Sequence, residues 1–286
     1  MGERVEIFEV GPRDGLQNEA EFIPTHDKIA LVDCLSRAGF ARIEVASFVS
    51  PKWVPQMADG ADVLAGIARA DGVSYAALTP NMRGFEGARA AGATEIAVFG
   101  SASEGFSKAN INATIEESLA RFQKVVDAGR AAGLPVRGYV SCVSDCPYDG
   151  PVDPGAVARV SEMLFEMGCY EISLGDTIGQ GTPERIDAML RAVTGVVPVG
   201  RLAGHYHDTA GRALANIEVS LDHGLRVFDA AIAGLGGCPY APGAAGHVAT
   251  DAVHARLTSL GYKTGLDADV LAEASALART MRGDHG

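Results

Sequence analysis

Two imidazoles two residues apart, His205 and His207, close an apolar run and are followed at once by Asp208 and Thr209. On a β-strand, positions i and i+2 face the same side, so both rings can reach one point in space. Imidazole is the commonest metal ligand among side chains. Near the N-terminus another apolar run ends in Gly11-Pro12-Arg13-Asp14-Gly15 and supplies a carboxylate. His205, His207 and Asp14 together offer two nitrogens and one oxygen, a donor set for one divalent cation with positions left open. That mixture suits magnesium, manganese, iron or zinc and does not choose among them. A single histidine is more often a hydrogen-bonded structural residue, but two sharing one face weaken that reading. Asp208 points the other way and orients a ring or caps the next helix.

Other groups at the ends of apolar runs could take part. Arg13, beside Asp14, is suited to stabilising an oxyanion that forms during a reaction; its alternative is an ion pair with Glu44 or Asp176. Glu44 ends a buried run, where an unpaired carboxylate is costly, so pairing and catalysis are both open to it. Ser141 and Asp176 also fall at run ends and are candidate substrate contacts. Asn110 belongs to a long polar segment with Ser101, Ser103 and Lys108, read as a loop able to hold an extended anionic substrate. Segment 233–247 is rich in glycine and reads as a mobile loop carrying Cys238. A thiol there could give or take a proton; a structural cysteine in a tight turn is the plainer alternative.

These residues must be positioned by the elements before them. Short β-type runs at 5–10, 41–47, 73–78, 95–99, 136–142, 170–175, 201–206 and 227–232 alternate with helical patterns such as 25–38 and 114–132. The runs read as buried strands without charge alternation, as in a parallel sheet covered by helices. Eight βα repeats in about 250 residues match a (β/α)₈ TIM barrel, an α/β fold. An open doubly wound sheet is the alternative, but no Gly-x-Gly-x-x-Gly turn follows the first strand. Residues 1–286 therefore read as one catalytic barrel domain, with 264–286 an extra C-terminal helical segment. In such a barrel the chemistry sits at the C-terminal strand ends, where all of these candidates fall.

Composition narrows the partners. The 286 residues carry a formal charge of −12, which disfavours nucleic acid because phosphate neutralisation needs clustered Lys and Arg. Five cysteines at irregular spacings argue against a disulfide framework and for a reducing compartment. No membrane-spanning run and no secretory signal pattern occur, so a cytoplasmic protein is expected.

Together the run from Glu9 to Glu19, the stretches 44–52 and 172–179, the His205–Thr209 run and the Gly236–Tyr240 loop resemble the hydroxymethylglutaryl-CoA lyases over nearly the whole chain. The arginine–aspartate and His-x-His features alone are shared with a wider superfamily that includes isopropylmalate synthases. The resemblance implies a barrel that binds Mg²⁺ or Mn²⁺, acts on an acyl-CoA and cleaves 3-hydroxy-3-methylglutaryl-CoA to acetyl-CoA and acetoacetate, as a homodimer. It implies Asp14, His205 and His207 as metal ligands, Arg13 as the group that stabilises the enolate, and Cys238 as the proton-transfer thiol. Glu44 is then an active-site acid and Asn110 lies near the CoA. Two departures stand out: the resemblance places an asparagine ligand where this chain has His247, and a lysine after Glu19 where this chain has Ala20. An imidazole can ligate at 247 too; a surface residue at a helix start is the alternative. Rival readings are a lyase for another branched 3-hydroxyacyl-CoA, a condensing acyltransferase, and a non-catalytic acyl-CoA-binding protein.

Overall fold

The computed structural model describes residues 2–19, 21–236 and 246–282. Eight parallel strands close into a barrel in chain order: β1 (Glu6–Glu9), β2 (Arg42–Ser47), β3 (Ser74–Leu78), β4 (Glu95–Ser101), β5 (Val136–Ser141), β6 (Glu171–Asp176), β7 (Leu202–Tyr206) and β8 (Val227–Ala230). Closure is made by β1, which pairs with β8 through Ile7 and Phe228 and with β2 through Glu9 and Ile43. Each strand expected from the sequence is present to within two residues at either end. The helices are α1 (Thr25–Ser36), α2 (Gly60–Gly66), α3 (Met82–Ala90), α4 (Glu104–Ile111), α5 (Ile115–Ala131), α6 (Pro154–Met167), α7 (Pro183–Val193), α8 (Ala213–Asp222), α9 (Thr250–Ser259) and α10 (Ala268–Met281). The last is the C-terminal helix expected beyond the barrel. None is long and apolar enough to cross a membrane.

Local chemistry explains the helix starts. Thr114 accepts from the Glu117 N–H while Glu117 reaches back to the Thr114 N–H, a reciprocal capping box that opens α5. Asp153 caps α6, and Pro154 occupies its first turn, where a missing N–H costs nothing. One segment departs from expectation. Asn110 lies on helix α4 instead of in a loop, because Ser103 accepts from the Phe106 N–H and Asn112 closes the helix in the left-handed region at φ 49°.

The main core lies between strands and helices, with Ile43, Val98, Val140, Ile172 and Leu174 packed under the outer layer. The strand interior departs from an uncharged reading. Arg137 is fully buried in the barrel, its Nε 2.7 Å from Glu171 and its terminal nitrogens 2.9 and 2.7 Å from the two oxygens of Asp229. Its guanidinium lies between the rings of Phe8 and Tyr139. Below it Arg42 joins Glu6 at 2.6 Å and Glu171 at 2.9 Å. The charges sit at alternate inward positions and neutralise one another, which burial requires.

Candidate active site and metal centre

The chain leaves β1 in a π-helical turn, Gly11–Gly15, in which the Val10 carbonyl accepts from the N–H groups of Arg13, Asp14 and Gly15. Such turns are rare and often serve functional sites. Glu9, outside the barrel wall and fully buried, fastens the turn. Its carboxylate accepts from the Gly11 and Ile232 N–H groups, each at 2.8 Å, and from Thr250 at the start of α9 at 2.6 Å. Arg13 and Asp14 are thereby aimed across the barrel mouth.

His205 on β7 and His207 just beyond it project to the same side, as their spacing predicts. The chain then returns beside them: the Val248 N–H donates to the Tyr206 carbonyl and the Asp208 N–H to the Gly246 carbonyl, which sets His247 opposite His207. One nitrogen from each of His205, His207 and His247 lies within 4.8 Å of the others, and all three rings are buried. Asp14 Oδ2 stands 3.2 Å from His247 Nε2 and 3.6 Å from His205 Nε2.

The neighbours decide which nitrogen faces inward. His247 Nδ1 is 3.1 Å from the Leu235 carbonyl, which can only accept, so that nitrogen carries the proton. His205 Nδ1 is 3.0 Å from Asp229 Oδ2 and is placed in the same way. Both rings therefore turn Nε2 toward the Asp14 carboxylate. Burial, first of all, holds the His207 pKa well below its usual value. Burial would raise the Asp14 carboxyl, but Arg13 and His247 outweigh it and hold it well below the usual carboxylate range. His207 Nδ1 and His247 Nε2 are buried without a hydrogen-bond partner. Three imidazole nitrogens and one carboxylate oxygen converging at these distances, two of the nitrogens without a hydrogen-bond partner, fit a divalent cation.

Arg13 lies against this cluster. Its Nη1 is 2.9 Å from Asp14 Oδ1, its Nε 2.7 Å from Glu44 Oε2 and its Nη2 2.5 Å from the same oxygen. Of the two ion-pair partners considered from sequence, Glu44 is the one that engages it. Tyr139 donates to Glu44 Oε2 at 3.2 Å. Burial pushes the Glu44 carboxyl up to about 7 against the opposing pull of Arg13.

Arg13, Asp14, His205 and His207 form the floor of a cavity of about 690 Å³. Asn110 from α4 and Ser141 from the end of β5 line its wall, with Leu78, Phe99 and Phe106 giving an apolar side. Asp176 is not brought there. It pairs with Tyr206 across β6 and β7, while their neighbours Gly175 and His205 face inward, so Asp176 faces the helices. Its Oδ2 accepts from the Gly181 N–H at 2.9 Å. Cys238 lies outside the described residues.

Sequence reasoning missed the support behind the histidines. Asp229, the register partner of His205, is gripped by Arg137 and accepts from Ser173 at 2.7 Å. Gln17 donates to Asp14 Oδ1 at 2.7 Å. A lone carboxylate in the apolar run around Phe228 was the one signal that could have found Asp229.

The fold agrees with that of the relatives of this sequence. The HMGL-like family model matches residues 4–278. Hydroxymethylglutaryl-CoA lyase, mitochondrial, of Gallus gallus is 59% identical over 265 residues, covering 93% of this chain and 89% of the relative. A 3-hydroxy-3-isohexenylglutaryl-CoA/hydroxy-methylglutaryl-CoA lyase of Pseudomonas aeruginosa is 57% identical over 96% of this chain and 91% of its own length. The crystal structure of the HMG-CoA lyase from Brucella melitensis superposes with a TM-score of 0.98 at 62% identity, covering 99% of this chain and 100% of that one. A barrel with this mouth, matched from end to end by such relatives, places the chain in the HMGL-like family.

Proposed function

We propose that this chain is a divalent-metal-dependent carbon–carbon lyase that cleaves 3-hydroxy-3-methylglutaryl-CoA to acetyl-CoA and acetoacetate. The observation that carries the reading is the meeting of three imidazoles and Asp14 beside Arg13, with Arg13, Asp14, His205 and His207 on the floor of one cavity. Asp14, His205, His207 and His247 would hold the cation, Mg²⁺ or Mn²⁺. When bound, it supplies Lewis acidity to the substrate oxygens.

The reaction needs little else from the protein. The tertiary hydroxyl loses its proton and becomes the carbonyl of acetoacetate as the C2–C3 bond breaks. The bonding pair passes to C2 as a thioester enolate, and a proton on C2 completes acetyl-CoA. Arg13, fixed by Asp14 and Glu44, offsets the enolate charge without reorganising. Glu44 stands behind Arg13, so its first task is to hold the guanidinium; its raised pKa also lets it keep a proton near neutrality. Cys238 is the group this reading assigns to proton exchange. Asn110 and Ser141 border the acyl-CoA. Asp176, read from sequence as a substrate contact, acts on this reading only through the turn it anchors.

The apolar wall of Leu78, Phe99 and Phe106 favours a second reading, in which a longer C3 substituent is accepted. The family match over 4–278 supports one catalytic domain; residues 237–245 of the segment 233–247 lie outside the described residues. The resemblance supports a homodimer. Buried free thiols at Cys34, Cys142, Cys146 and Cys169 support a reducing compartment such as the cytoplasm.

Acetyl-CoA release from hydroxymethylglutaryl-CoA, followed by coupling to citrate synthase with added Mg²⁺ or Mn²⁺, tests the activity. Absence of product with either ion would reject it. Thioesters with longer C3 substituents separate the two substrate readings, and light scattering reads the dimer.

A further inference from the structure

We infer that His247 makes this a three-nitrogen, one-oxygen centre that selects a borderline transition cation, such as Mn²⁺, Co²⁺ or Zn²⁺, over Mg²⁺. The inference rests on the metal-centre reading above and concerns which ion the centre prefers.

The donor atoms carry it. His205 and His247 present Nε2, because Asp229 and the Leu235 carbonyl take their Nδ1 protons. His207 Nδ1 is buried with no hydrogen-bond partner. Asp14 has one oxygen to offer, since Oδ1 is already engaged by Arg13 and Gln17. Magnesium demands near-octahedral oxygen ligation and gives up its water reluctantly. Imidazole suits the later divalent ions, whose affinity for nitrogen donors rises along the first row toward copper. Charge acts in the same direction. The one carboxylate at the centre is shared with the Arg13 guanidinium, so little net negative charge is left to attract a hard cation.

His247 is fixed in place for this role. Its ring centroid lies 4.3 Å from that of His207 and 5.1 Å from that of His205. Gly236, at φ 90°, passes so close that an added Cβ would stand 3.0 Å from His247 Nδ1 and 3.1 Å from the Gly15 Cα. The Val248 N–H bond to Tyr206 anchors the backbone on the other side. A ring held on three sides, with its free nitrogen aimed at Asp14, is a preformed ligand.

Isothermal titration of the chelator-stripped full chain with MgCl₂, MnCl₂ and ZnCl₂, beside H247N, tests this. We expect wild type to bind Mn²⁺ at least about 100-fold more tightly than Mg²⁺, and H247N to narrow that ratio by about tenfold or more. An unchanged ratio in H247N would overturn the proposal and leave His247 a structural ring between Leu235 and Asp14. Pulsed electron paramagnetic resonance of Mn²⁺-loaded wild type needs no variant: three imidazole nitrogen couplings are expected, and two would overturn it. Asp14→Ala separates the levels. If it keeps wild-type Mn²⁺ affinity, the metal-centre reading itself fails, whereas loss of binding there with an unchanged ratio in H247N removes only the selectivity.

Discussion

Asp229 Oδ2 stands 3.0 Å from Nδ1 of His205, and the two residues are register partners on adjacent strands. The contact makes His205 present Nε2 to the barrel mouth. It also joins the centre to the buried Arg137, whose terminal nitrogens hold both Asp229 oxygens. A charged column inside the barrel thus fixes one ring of the mouth.

Asp229→Asn should therefore weaken Mn²⁺ binding by about 10–100-fold, the usual cost of losing a carboxylate behind a ligand histidine. It should also lower stability, since removing one partner of a buried ion pair costs about 3–5 kcal/mol. Titration calorimetry reads the first effect and thermal melting the second. A destabilised variant that binds Mn²⁺ as wild type does would show that Asp229 serves Arg137 alone.

Arg13→Lys keeps a positive charge but loses the planar fork that spans Asp14 and Glu44. Turnover on hydroxymethylglutaryl-CoA should fall by about 10²–10³-fold, with a much smaller change in KM, because the lost contact strengthens only as the enolate forms. Steady-state kinetics decide it: a KM rise with preserved kcat would make Arg13 a substrate-binding group.

What the sequence reveals follows from the range over which each residue acts. The His205 and His207 pairing is local, because a period of two puts both on one face whatever surrounds them. The eight strands are legible for a similar reason, as compact apolar runs between helical patterns. Asp176 shows the limit of position alone. It ends a strand as His205 nearly does, yet an even offset from the outward Tyr206 register sends it to the helices. The Asp229–His205 bond depends on the pairing of β7 with β8, which no window of sequence contains. Helix α4 is missed because Ser103, Glu104 and Gly105 read as loop residues, while the cap that makes them a helix start is a matter of geometry.

Gly179→Ala should disturb the centre from outside it. Gly179 sits at φ 62°, and an added Cβ would lie 2.9 Å from the His207 carbonyl oxygen and 2.8 Å from the Thr209 side chain. Both the left-handed backbone and the contact oppose a side chain, at about 1–3 kcal/mol. The nearest relief is a shift of the His207 backbone, so Mn²⁺ affinity and melting temperature should fall together. Wild-type affinity in a destabilised variant would show that the strain relaxes into the turn at Gly179 instead.

The Asp176 carboxyl is raised from 3.8 to about 6, first by burial, with the Gly181 N–H opposing; its Oδ1 has no hydrogen-bond partner. A carboxyl whose folded pKa lies above its unfolded value binds its proton more tightly in the folded state. Its neutral form is therefore harmless below pH ~4, and the cost of ionising it grows between ~4 and ~6 and is constant above. At ~1.4 kcal/mol per unit the full cost is about 3 kcal/mol. Asp176→Asn keeps the shape and an acceptor for Gly181 but cannot ionise. The stability difference between variant and wild type should then move in favour of the variant as pH rises from 4 to 7. Denaturant titrations at those two pH values read that difference directly, and a pH-independent difference would mean that Asp176 ionises equally in the folded and unfolded states.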